Sequence, residues 1–548
     1  MKFRVRIENR ILTERRRQQH SVQGTENPNA GKEATPKKLR LDRKQQAERL
    51  NIKKKEVNPM LEYLKIEMNR TETENGAATH VSSGSDCLDL FATVGALRRE
   101  SDAEILRRFA RAFAEDADLA VKLLFFARDI RGGLGERRVF RVVLRRLADE
   151  RPETVRKNLP YVAEFGRYDD LLVLLGTRCG EDALALLKTQ FEKDLAALDA
   201  GEDVSLLGKW LPSVNASNLE TVRLGKKVAR AFGMRESAYR KALVSLRAKI
   251  RILENDLRLR EYGFDYAKQP SRAMFKYRKA FLRNDGERYR RFMNQVVRGE
   301  VRLHADNVCP YELVAPWLGY SGMKTICAEE KEALNATWAS LPDFGGEENA
   351  LAVIDTSGSM YMDADPCPAA VALSLGLYFA ERNRGAFRNC FIEFSRTPAL
   401  IELKGETFAD RLAYAASFSR IANTDLEAVF DAILRAAVRG NVPAEELPAK
   451  LVIISDMEFD ACVKNSSLTN FENAKAKYEA HGYRLPEIVF WNVASRHRQQ
   501  PVAKNEQGVC LVSGATPRLF SMIAGGIVTP YVFMTDVLGS DRYAKITA

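Results

Sequence analysis

The chain has 548 residues, of which 45% are hydrophobic, so we expect roughly three to four domain-sized pieces with ordinary folded cores. No apolar run approaches the roughly 18 residues of a membrane span, and the first residues lack the apolar segment of a secretory signal. The eight cysteines are scattered and form no CxxC pair, which predicts reduced thiols in a cytoplasmic protein.

The net charge of +12 is unevenly distributed along the chain. Residues 1–59 carry 17 Lys+Arg against 7 Asp+Glu, and their polar composition predicts a basic disordered tail. This tail is either an arm for nucleic acid or a solvated extension, and Met60 would serve equally well as a start. Residues 220–302 carry 23 basic against 9 acidic side chains, whereas residues 347–548 carry 20 against 24. A basic middle therefore precedes an acidic C-terminal part.

Residues 60–340 show helical periodicity, which predicts an α-helical, repeat-like domain. A helix begins near Ser101, because Glu104 completes a capping box with it. The sequence RGGLGE is expected to join two helices. A regular apolar seam predicts one long helix that contains Leu243, Leu246, Ile250, Leu253 and Leu257. Ser271 is expected to cap a further helix.

Residues 341–349, with one proline and two glycines, are the predicted linker, and the pattern changes after them. Short apolar runs now alternate with helical segments, which predicts buried parallel strands at 351–354, 389–394, 450–455, 487–493 and 508–513. The predicted fold is thus multidomain, α followed by α/β. A helical array precedes a doubly wound parallel sheet in residues 350–548.

The sequence LAVIDTSGSM runs from a predicted strand straight into a carboxylate and two hydroxyls. Ligands bind at the carboxyl ends of strands in parallel sheets, and two later positions fall at equivalent ends. Together these positions predict an all-oxygen metal site, which suits Mg²⁺ or Mn²⁺, made by Asp355, Ser357, Ser359, Thr424 and Asp456. Thr407 is the alternative to Thr424.

These residues, in this order, resemble the metal-ion-dependent adhesion site (MIDAS) of von Willebrand factor A-type domains, over about the last 200 residues. The resemblance implies that Ser357, Ser359 and Thr424 face the metal, with Asp355 and Asp456 near it. Water or an acidic group of a partner would complete the coordination. The competing interpretation is a vestigial site in a purely structural domain.

The upstream part carries a second resemblance, through TETENGAATHVSSGSDCLDLFATVGALR, LLFFARDIRGGLGER and PSRAMFKYRKAF. These segments are similar to an uncharacterised family that joins a helical part to an A-type domain. The layout also resembles the Ro ribonucleoprotein family more remotely. That likeness implies a ring of helical repeats and binding of small structured RNAs.

The stretch 239–293 interleaves basic residues with tyrosine and phenylalanine, a composition that favours contact with phosphates and unpaired bases. The aromatic rings Phe275, Tyr277 and Phe281 are expected to be core rather than base-stacking. The excess of basic residues is explained equally well if these side chains lie on solvent-exposed helix faces, or if they pair with the acidic C-terminal domain. The candidate RNA-binding residues are Arg240, Lys241, Arg247, Lys249, Arg251, Lys276, Arg278, Lys279, Arg288, Arg290 and Arg291. Arg258, like the basic residues from Arg240 to Arg251, lies outside the leucine seam of the predicted long helix.

We expect a binding protein rather than an enzyme. RGGLGER lacks the Gly-Lys-Ser/Thr of a phosphate loop, and no GxSxG motif surrounds a serine. The leading hypothesis is a Ro-like RNA scaffold whose magnesium site captures an acidic group. The alternative is a metal-dependent protein–protein adaptor that binds an acidic protein partner and no nucleic acid. Neither hypothesis involves a membrane.

Overall fold

The computed structural model describes residues 59–306, 308–319, 322–362, 365–395, 397–418, 424–461 and 468–548. Helix α1 (Pro59–Met68) is the described part of one unit, and Asn69–Ala548 form a second, compact unit. The predicted tail, 1–59, lies outside the described residues except for Pro59.

The first part of the second unit is helical. Its helices are α2 (Asp86–Phe91), α3 (Asp102–Glu115), α4 (Ala117–Arg128), α5 (Arg137–Glu150), α6 (Pro152–Asn158), α7 (Val162–Phe165), α8 (Gly180–Asp199), α9 (Leu207–Trp210), α10 (Leu219–Ala231), α11 (Glu236–Ile250), α12 (Leu253–Leu259), α13 (Ser271–Asn284), α14 (Gly286–Val297), α15 (Pro310–Val314) and α16 (Ala328–Ala339). From α2 to α6 each helix packs on the next, as the repeat-like prediction requires. None of the described helices is long and apolar enough to cross a membrane.

The predicted start of α3 is confirmed, because Ser101 Oγ accepts the backbone N–H of Glu104 at 3.2 Å. Two short hairpins were not predicted: β1 (Arg70–Glu72) with β2 (Ala78–His80), and β3 (Leu318–Gly319) with β4 (Gly322–Met323). Strands of two or three residues are too short to show an alternating pattern. Ser271 does not cap α13, because it is already the first residue of that helix and Pro270 precedes it.

The predicted long helix with the leucine seam is wrong. The helix ends at Ile250, because Arg251 adopts a left-handed conformation with φ 53°, and α12 begins at Leu253. The two halves of the seam enter different cores. Leu243 and Leu246 join the main core, whereas Leu253 joins a second core that is rich in aromatic rings of α13 and α14. A left-handed backbone costs a residue with a side chain about 1–2 kcal/mol, so this break is not the default outcome of the sequence.

The second part of the unit is a six-stranded sheet in the order β10–β9–β8–β5–β6–β7. The strands are β5 (Ala350–Asp355), β6 (Cys390–Phe394), β7 (Ala399–Glu402), β8 (Lys450–Ser455), β9 (Glu487–Asn492) and β10 (Val509–Ser513), and only β7 runs antiparallel to its neighbour. The helices of this part are α17 (Pro368–Arg382), α18 (Phe408–Ala416), α19 (Leu426–Gly440), α20 (Asn470–Ala480), α21 (Leu519–Ile523) and α22 (Pro530–Leu538). The predicted fold class, helices followed by an α/β sheet, is confirmed.

All five predicted strands are present, within one residue at each end. β7 was not predicted because it is an edge strand in which one of four residues is buried, so it lacks an apolar run. The central strands β5 and β8 are buried at every position, which explains their continuous apolar sequences.

The helical part and the sheet share one hydrophobic core, and residues after α22 bind back to the helical part. The carboxylate of Asp129, fully buried at the end of α4, accepts hydrogen bonds from Arg542 and from the Tyr543 hydroxyl, the latter at 3.0 Å. The glycines of RGGLGE make room for this contact. A Cβ on Gly132 would lie 2.5 Å from Arg542 Nε, and one on Gly133 would lie 2.0 Å from the Phe126 carbonyl oxygen.

We therefore expect Gly133→Ala to lower the free energy of unfolding by about 1–3 kcal/mol, since the added methyl group forces the loop away from α4. The measurement is the midpoint of urea unfolding of the full chain. Gly263→Ala is the matched control, because a Cβ there meets no atom within 4 Å. Equal midpoints for the two variants would contradict this account of the loop.

Candidate functional site

The predicted metal residues lie where two neighbouring strands of the sheet end. β5 and β8 are adjacent and parallel, but the chain continues from β5 to β6 on one side and returns to β8 on the other. Such a switch point leaves a crevice at the carboxyl ends of the strands, where ligands bind in open α/β sheets. Asp355 is the last residue of β5, and Asp456 follows the last residue of β8.

Asp355 and the two serines after it form a cluster of oxygens. Asp355 Oδ1 accepts the backbone N–H of Ser357 at 2.8 Å, and its Oδ2 accepts the hydroxyl of Ser455 at 2.5 Å. Ser357 Oγ lies 3.0 Å from Ser359 Oγ. Two oxygens bound to Mg²⁺ at right angles are about 3.0 Å apart, because each Mg–O distance is about 2.1 Å. The two hydroxyls form a hydrogen bond with each other at this distance, and the same spacing would also suit two ligands of one magnesium ion.

The two predicted carboxylates are both buried, with Asp355 1% and Asp456 2% exposed. Burial, together with the negative charge of Asp456, raises the pKa of Asp355. Asp456 Oδ2 accepts a hydrogen bond from Arg496 at 3.0 Å, so this guanidinium already supplies positive charge at the sheet edge. A divalent cation would supply the same compensation and would be repelled by Arg496.

Thr424 lies in the same region but bonds elsewhere. Its hydroxyl donates to the backbone carbonyl of Glu458 at 2.8 Å and lies 3.1 Å from Asp460 Oδ1. Within the described ranges its hydrogen bonds include none to the Asp355–Ser359 cluster. Thr407, the alternative, caps α18 by accepting the backbone N–H of Asp410. The structure thus brings together Asp355, Ser357 and Ser359, with Asp456 near enough for its charge to raise the pKa of Asp355, and it places Thr424 in hydrogen bonds with a neighbouring loop.

That neighbouring contact comes from a segment that the sequence did not identify as part of the site. The loop between β1 and β2, which we call the 73–77 loop, reaches the sheet edge. Asn75 Nδ2 donates to Thr424 Oγ1 at 3.1 Å and to the Glu458 carbonyl at 2.7 Å. Thr73 Oγ1 donates to the Phe459 carbonyl at 2.6 Å. These pairs are about 350–390 residues apart in the chain, so no local pattern reports them.

A second group of possible metal ligands adjoins the first. Glu74, Glu458 and His497 each offer an atom within 4.8 Å of the others. The buried Glu458 carboxylate is already bonded, however, to the backbone N–H of Glu74 at 2.8 Å and to the side-chain amide of Gln499. Glu74 in turn pairs with Arg496 at 2.7 Å. Arg496 is therefore shared between Glu74 and Asp456, and carboxylates outnumber basic side chains among the residues of this edge.

The eleven predicted RNA-binding residues divide into three groups. Arg247, Arg278 and Arg288 are bound within the fold: Arg247 donates from all three nitrogens to Gly208, Leu211 and Ser213, and Arg278 is 7% exposed and bonded to Glu330. Arg288 pairs with Asp285 and bonds to the Phe264 carbonyl. Lys249 and Lys279 are exposed but have partners within the chain. Lys249 Nζ donates a hydrogen bond to the Gly201 carbonyl, and Lys279 Nζ lies 3.4 Å from Glu330 Oε1.

The remaining six are exposed, and no described acidic residue forms an ion pair with them: Arg240, Lys241, Arg251, Lys276, Arg290 and Arg291. We call these six the basic set. As predicted, the aromatic rings are mostly core: Phe275 is 7% and Phe281 0% exposed, while Tyr277 is half-buried and packs against the second core. The sequence could not separate internal from exposed arginines, because both kinds occupy non-seam positions.

Comparison with known proteins agrees with this two-part organisation. Residues 73–188 and 182–343 match a family model described as a domain of unknown function (DUF2828), and residues 349–528 match a domain of unknown function (DUF7788). The helical part is therefore similar to one uncharacterised family, and the part built on the sheet is similar to another. Neither description mentions a von Willebrand A-type domain.

One relative and one solved structure extend the comparison. Uncharacterized protein L728 of Acanthamoeba polyphaga mimivirus is 26% identical over 492 residues, which cover 83% of this chain and 84% of L728. The crystal structure of the Deinococcus radiodurans Ro (RSR) protein aligns with 84% of this chain and 100% of that one, at 15% identity and a TM-score of 0.31.

The segment that carries Arg496 is held to the helical part by Glu104, which lies in the first turn of α3. The Glu104 carboxylate accepts hydrogen bonds from Arg498 at 2.6 and 2.7 Å and from Arg108 at 2.8 Å. Burial would raise the pKa of Glu104, but these hydrogen bonds from Arg498 and Arg108 outweigh it and lower the pKa to about 2.

A carboxyl group whose pKa falls on folding stabilises the protein above its unfolded pKa, near 4.5, and loses that contribution as the pH falls toward 2. We therefore expect the wild-type protein to lose more unfolding free energy than Glu104→Gln between pH 5 and about 3. Thermal unfolding at a series of pH values measures the difference. Glu202→Gln, at an exposed glutamate, is the control and should parallel the wild type.

Proposed function

We propose that the chain is a binding scaffold that holds RNA through the basic set. One observation carries this proposal: within a segment of 23 basic and 9 acidic residues, six exposed cations form no ion pair with a described acidic residue. Exposed cations that are not held in an ion pair are available to a phosphate backbone, which releases its condensed counterions when they bind. The remote resemblance of the predicted domain layout to that of Ro proteins is consistent with this function.

The variant Lys241→Glu/Arg290→Glu/Arg291→Glu tests the RNA proposal. We expect it to bind a fluorescein-labelled single-stranded oligouridylate at least 10-fold more weakly in an anisotropy titration. If each cation contacts one phosphate, the slope of log affinity against log salt should fall by about 2, since each contact contributes about 0.7.

The matched control reverses three exposed cations elsewhere, Arg145, Lys193 and Arg439, and so makes the same change in net charge. This control should bind RNA within about 3-fold of the wild type, allowing for the longer-range field. Equal losses in the two triple variants would mean that net charge alone attracts the RNA. Wild-type affinity in the first variant would contradict the proposal.

A second function is favoured by the hydroxyl spacing at the sheet edge. Asp355, Ser357, Ser359 and Asp456 would hold Mg²⁺ or Mn²⁺, as in the A-type domains that the motif resembles. A bound cation would supply a positive centre that takes a carboxylate from a protein partner, as the adaptor hypothesis requires. The same centre could serve a phosphate in the RNA scaffold. No step of this proposal needs catalysis.

Magnesium should stabilise the wild-type protein, by about 2.7 kcal/mol at 100 times its dissociation constant. Ser357→Ala/Ser359→Ala should lose this stabilisation, because two of the oxygens are gone. Arg496→Gln should increase it, since the cation that competes at Asp456 is removed. Differential scanning fluorimetry with MgCl2 and then EDTA gives the measurement.

The control for the serine pair is Ser417→Ala/Ser521→Ala, where both exposed hydroxyls bond only within their own turn. This control should keep the wild-type response to magnesium. An unchanged response in Ser357→Ala/Ser359→Ala would place any magnesium elsewhere. A wild-type protein that ignores both MgCl2 and MnCl2 would contradict the metal proposal altogether.

A further inference from the structure

A cavity of about 650 Å³ opens where α11 ends and α12 begins. Its walls come from the last turns of α11, from α12 and from the loop Ser213–Asn215. The cavity exists because the seam is broken at Arg251: α11 packs on the main core and α12 on the second core, so the space between them is not filled. Its volume is within the range of about 300–1,000 Å³ of small-ligand pockets.

The charge of the cavity is strongly positive. Four arginines line it, against one carboxylate, that of Asp256. Arg247 is fixed by its bonds to the protein, but Arg240, Arg251 and Arg258 are exposed, and their guanidinium groups have no hydrogen bond or ion pair with any described residue. Three free guanidinium groups around one cavity are complementary to an anion, and their planar forks fit phosphate oxygens.

The rest of the wall is suited to a flat organic group. Val244 is 60% and Leu259 50% exposed, although both are aliphatic. Asn215 and Asn255 add side-chain amides that donate and accept hydrogen bonds. Guanidinium planes and aliphatic side chains can cover the faces of an unstacked base, while amides can bond to its edge.

We propose that this cavity takes one unpaired nucleotide of a bound RNA strand. The phosphates lie on Arg240, Arg251 and Arg258, and the base enters against Val244 and Leu259. A nucleotide within a duplex is stacked and cannot enter, so single-stranded segments bind in preference to duplexes. This proposal rests on the RNA-binding function above and adds a specific site to it.

The backbone at Arg251 gives the sharpest test. Arg251 holds a left-handed conformation, with φ 53°, that glycine adopts without strain. Arg251→Gly should therefore keep or raise the melting temperature while it removes a guanidinium from the cavity. Loss of binding without loss of stability separates a ligand contact from a structural role.

The chain contains a closely matched control. Arg260 is also an exposed arginine that ends a helix, with φ 56°, but it is not among the cavity-lining residues. Like Arg251→Gly, the variant Arg260→Gly removes one positive charge at a residue with a left-handed backbone, but nine residues further along the chain. A third variant, Val244→Trp, fills the cavity without changing the charge.

The experiment uses the full chain and a fluorescein-labelled 12-nucleotide oligouridylate, with a 12-base-pair RNA duplex as competitor, at one fixed salt concentration. We expect Arg251→Gly and Val244→Trp to bind the single strand at least 5-fold more weakly, with melting temperatures no lower than the wild type for Arg251→Gly. Arg260→Gly should bind within 2-fold of the wild type. The duplex should compete poorly with the single strand.

Three results would each overturn the cavity site while leaving RNA binding intact. The first is wild-type affinity in both Arg251→Gly and Val244→Trp. The second is an equal loss of affinity in Arg251→Gly and Arg260→Gly. The third is competition by the duplex as strong as by the unlabelled single strand. If the wild-type protein binds neither RNA even at low salt, the proposed function itself fails, and the site with it.

Discussion

The buried carboxylate of Asp129 is the interaction on which the rest of the structure depends. Burial alone would raise its pKa, but hydrogen bonds from Arg542 and from the backbone of Arg131 and Gly132 lower it. An ionised carboxylate inside a core is stable only when such partners are present, so removal of any one is costly. This contact joins the segment after the sheet to the helical part, and the two parts share one core.

Because the two parts form one body, the sheet edge is assembled from both. Asn75, on the 73–77 loop, bonds to Thr424, and Arg496 bridges Glu74 and Asp456. A cation or partner that displaces the Arg496 side chain from Asp456 also alters the ion pair between Arg496 and Glu74 on the 73–77 loop. By linkage, this loop contact must change the free energy of cation binding by the same amount. Binding of a cation at this edge would therefore be coupled to the contact with the 73–77 loop, unlike binding to an isolated α/β domain.

Sequence patterns predicted the features that depend on local burial and missed those that depend on distant contacts. The central strands were clear because every residue of β5 and β8 is buried, and the Asp355 motif was clear because it follows β5 directly. The antiparallel edge strand and the 73–77 loop have no such pattern. The leucine seam predicted one helix because spacing does not report the left-handed turn at Arg251. Its helical period was right in each half.

The arginines of the middle segment show why charge counts need a structure. Arg247 and Arg278 belong to the packing of the two cores, where carbonyls and Glu330 satisfy them, so they account for part of the positive charge without any ligand. Some of the other basic side chains form no ion pair within the described part of the chain. Three of them, Arg240, Arg251 and Arg258, line the cavity at the break in the leucine seam. The cavity opens to solvent and leaves the aliphatic side chains of Val244 and Leu259 exposed, so covering them is favourable. A ligand bound there would cover these side chains and neutralise the arginines around the cavity, which exists because the seam breaks at Arg251.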